Sequence, residues 1–274
     1  MSAWKLLPGT IAFIAAAMNW GTSAHGQSTP AHAQSLSACT AEMARGTECR
    51  CALSSLHPMQ VAVGMLEVEK RVQKIKGLRE TNKLEQYEHC QPEPVVIGPN
   101  DPSTGALRFY ITDHHHLARA LLDGGESATE CTIEDSQSAL PEPDFWGLMT
   151  KEKKVWLYDA QGKPVTWQQL PKSLQELQDD PYRSLAWAVE KHNGFYKPCS
   201  DFGEFLWANF FRTHRADGKP GGPIATPEEI EKNLKKVAKL ATKLAQSEAA
   251  KGLPGYKKGK PLQCQPVPPG CGKD

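Results

Sequence analysis

Tyr110–Gly125 reads YITDHHHLARALLDGG, and the fold turns on the point in it where alternation gives way to helical spacing. Just upstream, Leu107, Phe109 and Ile111 alternate with Arg108, Tyr110 and Thr112, the period of a half-buried strand. Beyond Asp113, Leu117, Ala120 and Leu121 fall on one helical face, and Gly124-Gly125 end the run. A strand therefore passes into a helix at Asp113. That residue is the expected N-cap, with His114, His115 and His116 filling the first turn.

Such a turn is an anion site, because its N–H groups lack helical partners and lie at the positive end of the helix dipole. The same dipole disfavours imidazolium, so the histidines are expected to be neutral until an anion arrives. Successive helical residues point about 100° apart, so the three rings cannot converge on one metal ion. Two of them joined by His57 or Glu67 form the alternative metal set. The plainest alternative has one histidine packed inward and two in solvent.

The remaining chain sorts into segments. Lys5, the apolar run Leu6–Met18 and the small residues Thr22-Ser23-Ala24 have the pattern of a secretory signal peptide over residues 1–24. Cleavage is expected near Ala24 or Gly26, with Ala33 as a later site. The apolar run is short for a membrane span, so no stable membrane insertion is expected after cleavage. The expected location is secreted or periplasmic. Eight cysteines in an exported chain favour disulfides over zinc. Cys264 is expected to pair with Cys271, while Cys39, Cys49 and Cys51 staple an N-terminal strap. With 32 basic against 31 acidic residues there is no net positive field. Attraction to nucleic acid or membrane would have to come from local patches.

Residues 25–51 are rich in Ala, Ser, Thr and Gln and are read as a Cys-containing linker. Residues 52–140 form an α+β core. Its elements are a helix over Leu56–Leu84 and strands at Val95–Ile97, Leu107–Thr112 and Ala128–Ile133. Residues 141–217 are a helical extension packed on the core through the aromatic-rich stretches Tyr182–Val189 and Phe202–Phe211. Residues 218–252 hold a Lys-rich amphipathic helix. Thr226-Pro227-Glu228-Glu229 supplies its cap, its N-terminal proline and its capping-box Glu. Ile230, Leu234, Val237, Ala241 and Leu244 form its stripe. Residues 253–274 are a Pro/Gly/Lys tail carrying a cysteine pair.

Several of these stretches resemble one family. Leu56-His57-Pro58-Met59-Gln60 with Val63-Gly64, and Asp113-His114-His115-His116-Leu117-Ala118-Arg119-Ala120, are similar to motifs of the ParB-like nucleases in the ParB/sulfiredoxin superfamily. Asp180–Trp187 and Phe205–Arg212 resemble the same family's later motifs. The resemblance runs from about Leu56 to Arg215. It implies a small mixed sheet with helices, followed by a mainly helical C-terminal extension, whose strand-to-helix turn receives phosphate. In the wider superfamily that turn usually carries Gly, two variable residues and Arg. Here Asp113 and His116 stand at the Gly and Arg positions, so an obligate cation has become a titratable one.

Relatives in the superfamily differ in reaction, so the fold alone does not choose one. Export disfavours nucleotide-driven chemistry, and no nucleotide cofactor is expected. Phosphodiester hydrolysis needs a base, an acid and charge on the phosphoryl oxygens. His115, His116 and Glu67 are the candidates for proton transfer, with Glu67 doubling as a metal ligand should a divalent ion take part. Asp113, His114, Arg119 and Arg183 are the candidates for holding phosphate, and Arg183 has a structural alternative as the partner of Asp180. The expected partner is nucleic acid or another phosphate-containing ligand. The rival reading is a non-catalytic module that holds an anion on the same turn.

Overall fold

The computed structural model describes Met1, Leu36–Tyr256 and Cys271; the expected signal segment and Cys264 lie outside the described residues. Five strands make the main sheet: β1 (Glu48–Ala52), β2 (Leu56–Pro58), β4 (Glu93–Gly98), β5 (Arg108–Ile111) and β6 (Ala128–Ser136). Their spatial order is β1-β6-β4-β5-β2. β1 runs antiparallel to β6, β6 parallel to β4, β4 antiparallel to β5 and β5 parallel to β2. A small parallel pair, β3 (Ala62–Val63) and β7 (Gln178–Asp179), ties the segment before α1 (Met65–Glu80) to the segment before α5 (Pro181–Lys191).

One face of the sheet is covered by α1, which leads into the short α2 (Leu84–His89), and by α3 (His115–Asp123); Val68, Ile75, Leu117 and Leu121 of α1 and α3 bury against Val95, Ile97 and Ile111. The other face is covered by α4 (Glu142–Lys151), where Phe145, Trp146 and Met149 pack on Val96 and Tyr110. A third cluster joins α5, α6 (Gly203–Thr213) and α7 (Pro227–Ala245). The architecture is α+β with a helical C-terminal region, as the residue patterns predict.

The differences have local causes. The expected linker over residues 25–51 ends in an edge strand, because Cys49 and Cys51 point inward and are buried. Helical periodicity over Leu56–Leu84 holds only from Met65; Leu56–Pro58 instead pairs with β5. Tyr110 is buried although it alternates with the inner residues, because α4 covers that face also. The last helix stops at Ala245, and Glu248–Ala250 forms a separate turn of 3-10 helix. Its capping box between Thr226 and Glu229 is formed. Cys271 bonds to Cys90, and not to Cys264. The presumed tail also docks through Gly255 O, which accepts from Tyr196 N–H, and Pro254 O, which accepts from Trp207 Nε1–H. Among the described residues no helix is long and apolar enough to cross a membrane.

Candidate functional site

The turn between β5 and α3 does not form as a simple Asp cap. His114 occupies the capping position in the left-handed region, at φ 59°, a conformation more tolerable for short polar residues than for most others. Asp113 accepts from the His114 N–H through Oδ1 at 2.7 Å, so its carboxylate holds the bend and not the helix amides. His114 O then accepts from the N–H groups of Leu117 and Ala118. The amides of His115 and His116 have no hydrogen-bond partner among the described residues.

The three histidines have separate surroundings. His115 and His116 are buried. His115 Nε2 accepts from Met59 N–H at 3.1 Å, and His116 Nε2 accepts from Gly64 N–H at 2.9 Å. A ring nitrogen that accepts carries no proton, so each ring is neutral with its hydrogen on Nδ1. Burial holds both pKa values down at about 3, against the pull of Asp113 on His115 and of Glu67 on His116. This corrects the expectation that either is a titrating proton carrier near neutral pH. His114 is only partly buried, and its Nδ1 has no partner among the described residues. Its pKa is also lowered by desolvation, with Arg71 and Lys197 adding to the effect and Asp113 opposing it.

Glu67 is not an exposed helix residue: it is 2% exposed. Its Oε1 accepts from Nε and Nη2 of Arg71 at 3.0 and 2.9 Å, and its Oε2 from Nη1 of Arg183 at 3.1 Å. His116 Nε2 lies 3.5 Å from the same oxygen. Burial favours the neutral acid, but His116, Arg183 and Arg71 outweigh it and hold the Glu67 pKa at about 2. Arg183 also pairs with Glu204 of α6. Asp180, the expected partner of Arg183, caps α5 through Tyr182 and Arg183 N–H and pairs with Arg212 at 2.7 Å. Two carboxylates and two guanidiniums from α1, α5 and α6 thus neutralise one another beneath the α3 turn.

Arg119 is engaged elsewhere. It binds Asp123 through Nε, and its Nη1 donates to the carbonyls of Leu174 and Gln175 at 3.1 and 3.2 Å. It fastens the 3-10 segment to α3 and is not placed to hold phosphate. His57 lies against Tyr110 with its ring tilted, at a centroid distance of 5.3 Å, by the α4 side of the sheet. The metal set that would join it to the α3 histidines is therefore not assembled.

Three residues that escaped sequence reasoning complete the site. Arg71 lies one turn beyond Glu67, a spacing that brings both side chains to one face; its side chain is 31% exposed. Lys197 is exposed and acts electrostatically on both Asp113 and His114. Glu93 is fully buried, and neither carboxylate oxygen has a hydrogen-bond partner among the described residues. Desolvation, reinforced by Asp113, raises its pKa well above the carboxylate range, with Arg71 opposing. Arg71 and Lys197 therefore bring positive charge to the helix end, where the Asp113 carboxylate supplies the opposing charge.

The family model described as "Putative ParB-like nuclease" matches residues 49–213. The crystal structure of protein Atu1540 from Agrobacterium tumefaciens is similar over 80% of this chain and 100% of that one. The identity is 30% and the TM-score 0.65. No curated protein matches.

Proposed function

Because the chain belongs to the ParB-like nuclease family, we propose that it hydrolyses phosphodiester bonds, with nucleic acid as the substrate class. The observation that carries this is the combination of Arg71, Lys197 and the amides of His115 and His116 around His114. A phosphoryl group at that helix end would meet fixed N–H dipoles and two cations, the electrostatic arrangement that stabilises charge developing on its oxygens. His114 is the imidazole of the triplet nearest to solvent. Its Nδ1 is buried and has no partner among the described residues, so it can take a proton from a nucleophile admitted into the turn beside the bound phosphoryl group. Glu67 and Arg183 then act as the support that fixes Arg71 and α3.

The rival reading is a module that binds an anion without turning it over. It is favoured by the engagement of His115, His116 and Glu67 in internal hydrogen bonds. The deciding assay offers single- and double-stranded DNA and RNA to the purified protein, with and without divalent metal and with no nucleotide. Cleavage that falls roughly a hundredfold in His114→Ala, in a variant that still melts cooperatively, supports hydrolysis. Phosphate binding by calorimetry that weakens in Lys197→Gln, with no cleavage under any metal condition, supports the binding module. Equal cleavage by His114→Ala and the parent would move the chemistry away from this turn.

Export is part of the same proposal. The Leu6–Met18 run and the bridges Cys39–Cys49 and Cys90–Cys271 support passage into an oxidising compartment. Intact-mass analysis of protein recovered outside the cytoplasm should show loss of the leading segment.

A further inference from the structure

Four of the sulfurs gather where the strap meets the sheet edge. The strap pairs with β1 at one residue: Cys39 N–H donates to Arg50 O, and Arg50 N–H donates to Ser37 O. Arg50 is fixed in turn by the buried carboxylate of Glu88 at 2.9 Å. Cys49 and Cys51 flank Arg50, so they share one face of β1 and Cys39 lies beside both. Cys39 is bonded to Cys49. The Cys51 sulfur is a free thiol in contact with the Cys39 sulfur. Cys131, opposite Cys49 in register on β6, is the fourth member. The sulfurs of Cys39, Cys51 and Cys131 lie within 4.8 Å of one another.

A second observation marks the cluster as more than close packing. Glu93 is opposite Cys131 in the β4–β6 register and is fully buried. Its carboxyl acts electrostatically on Cys51 and Cys131 and has no hydrogen-bond partner among the described residues. Asp113, Arg71 and Glu88 are the other charged groups that face it. A buried carboxyl left without a partner is costly, and the strand register sets this one beside Cys131 at the edge of the sulfur cluster.

We propose that this cluster is a thiol–disulfide exchange site in which Cys39 passes between Cys49 and Cys51, with Glu93 as the proton acceptor. The carboxylate form of Glu93 takes the proton from Cys51. The Cys51 thiolate attacks the Cys39 sulfur, the Cys39–Cys49 bond breaks, and the electron pair leaves on Cys49. Glu93 returns the proton to the Cys49 thiolate. One S–S bond forms and one breaks, so no oxidant or reductant is consumed. Cys39 is only partly buried, so it is the member through which the cluster meets solution.

The chain provides its own readout, since trypsin cuts after Arg45 and after Arg50 and so separates Cys49 from Cys51. Full-length protein is held at mildly alkaline pH without added thiol, blocked with maleimide at intervals, digested and mapped by mass spectrometry. The expected result is a growing share of the Cys39–Cys51 linkage beside Cys39–Cys49. In Glu93→Gln the approach to that mixture should slow by roughly a hundredfold, the loss typical when a proton carrier is removed. Cys39–Cys49 as the sole linkage at every time overturns the exchange. A Cys51–Cys131 bond overturns it also, because it removes the attacking thiol. Equal rates in the parent and Glu93→Gln overturn the part given to the carboxylate.

Discussion

The N–H of Gly64 donates to Nε2 of His116 at 2.9 Å, and this bond joins the start of α1 to the first turn of α3. A parallel bond from Met59 N–H to His115 Nε2 fastens the end of β2 to the same turn. Two of the three histidines are thus acceptors that hold loop amides in the interior. Gly64 has no room for more: a Cβ there would lie 2.6 Å from the backbone nitrogen of Ser184.

His116→Ala should therefore destabilise the fold. It leaves the Gly64 amide buried without an acceptor, which costs about 1–3 kcal/mol, apart from the cavity it opens. Urea unfolding of the variant and its parent measures the difference. Equal midpoints and slopes would reject the structural role and return His116 to the list of proton carriers.

Acid should weaken the protein beginning near neutral pH. His115 and His116 have folded pKa values of about 3 against 6.5 for the free side chain. Between those values the unfolded chain binds more protons than the folded one, so stability is lost as pH falls through about 6.5 towards 3. Glu67, at about 2 when folded and 4.5 when free, adds a loss of the same sign below 4.5. Thermal melts should show a decline as pH falls from about 6.5 to 4, the window in which both histidines are protonated only in the unfolded chain. In a His115→Gln/His116→Gln double variant that decline should shrink above pH 5, whatever the absolute melting temperature.

Glu93 has the opposite sign. Its folded pKa is raised, so above 4.5 the folded chain holds a proton that the unfolded chain has lost, and stability falls as pH rises through that window. Glu93→Gln keeps the shape and removes the titration. Its melting temperature should exceed the parent's at pH 8 by more than it does at pH 4.5. A difference that is constant with pH would mean the carboxyl finds a partner.

Removing one charge from the network beneath the turn should be severe. Glu67→Gln leaves Arg183 with only Glu204 and Arg71 without its internal anion. Breaking a buried pair in this way costs roughly 3–5 kcal/mol. The paired change Glu67→Leu/Arg183→Met should recover part of the stability while abolishing phosphate binding, if Arg71 is held in place by Glu67. Calorimetry with inorganic phosphate separates the two effects. Full phosphate affinity in the paired variant would show that Arg71 is positioned by something else.

The strand-to-helix switch at Asp113 was legible because it rests on periodicity, and so was the last helix, whose capping box is local in sequence. The roles of the histidines were not. Their spacing places them at a helix start, but whether a ring accepts from Met59 or Gly64 depends on a contact more than 50 residues away. Arg119 and Arg183 looked alike as cations near a phosphate turn; one clamps carbonyls and the other closes an ion network. Glu93 gave no signal, since a Glu before Pro in a short strand is ordinarily an edge residue. Only the depth of β4 between β5 and β6 makes it a buried acid. The pairing of Cys271 with Cys90 lay beyond reach for the same reason.

That bridge spans 181 residues and so makes a covalent ring of α3, Arg183 and Glu204 of the ion network and all of the C-terminal helices, with Glu67 and Arg71 of α1 left outside it. A single proteolytic cut anywhere inside the ring opens it without releasing a fragment, so the pieces of a nicked molecule would stay together until a reductant is added. The ring also sets an order of events during synthesis. Cys90 leaves the ribosome long before its partner exists, and must stay unpaired, or paired wrongly and reversibly, until Cys271 follows.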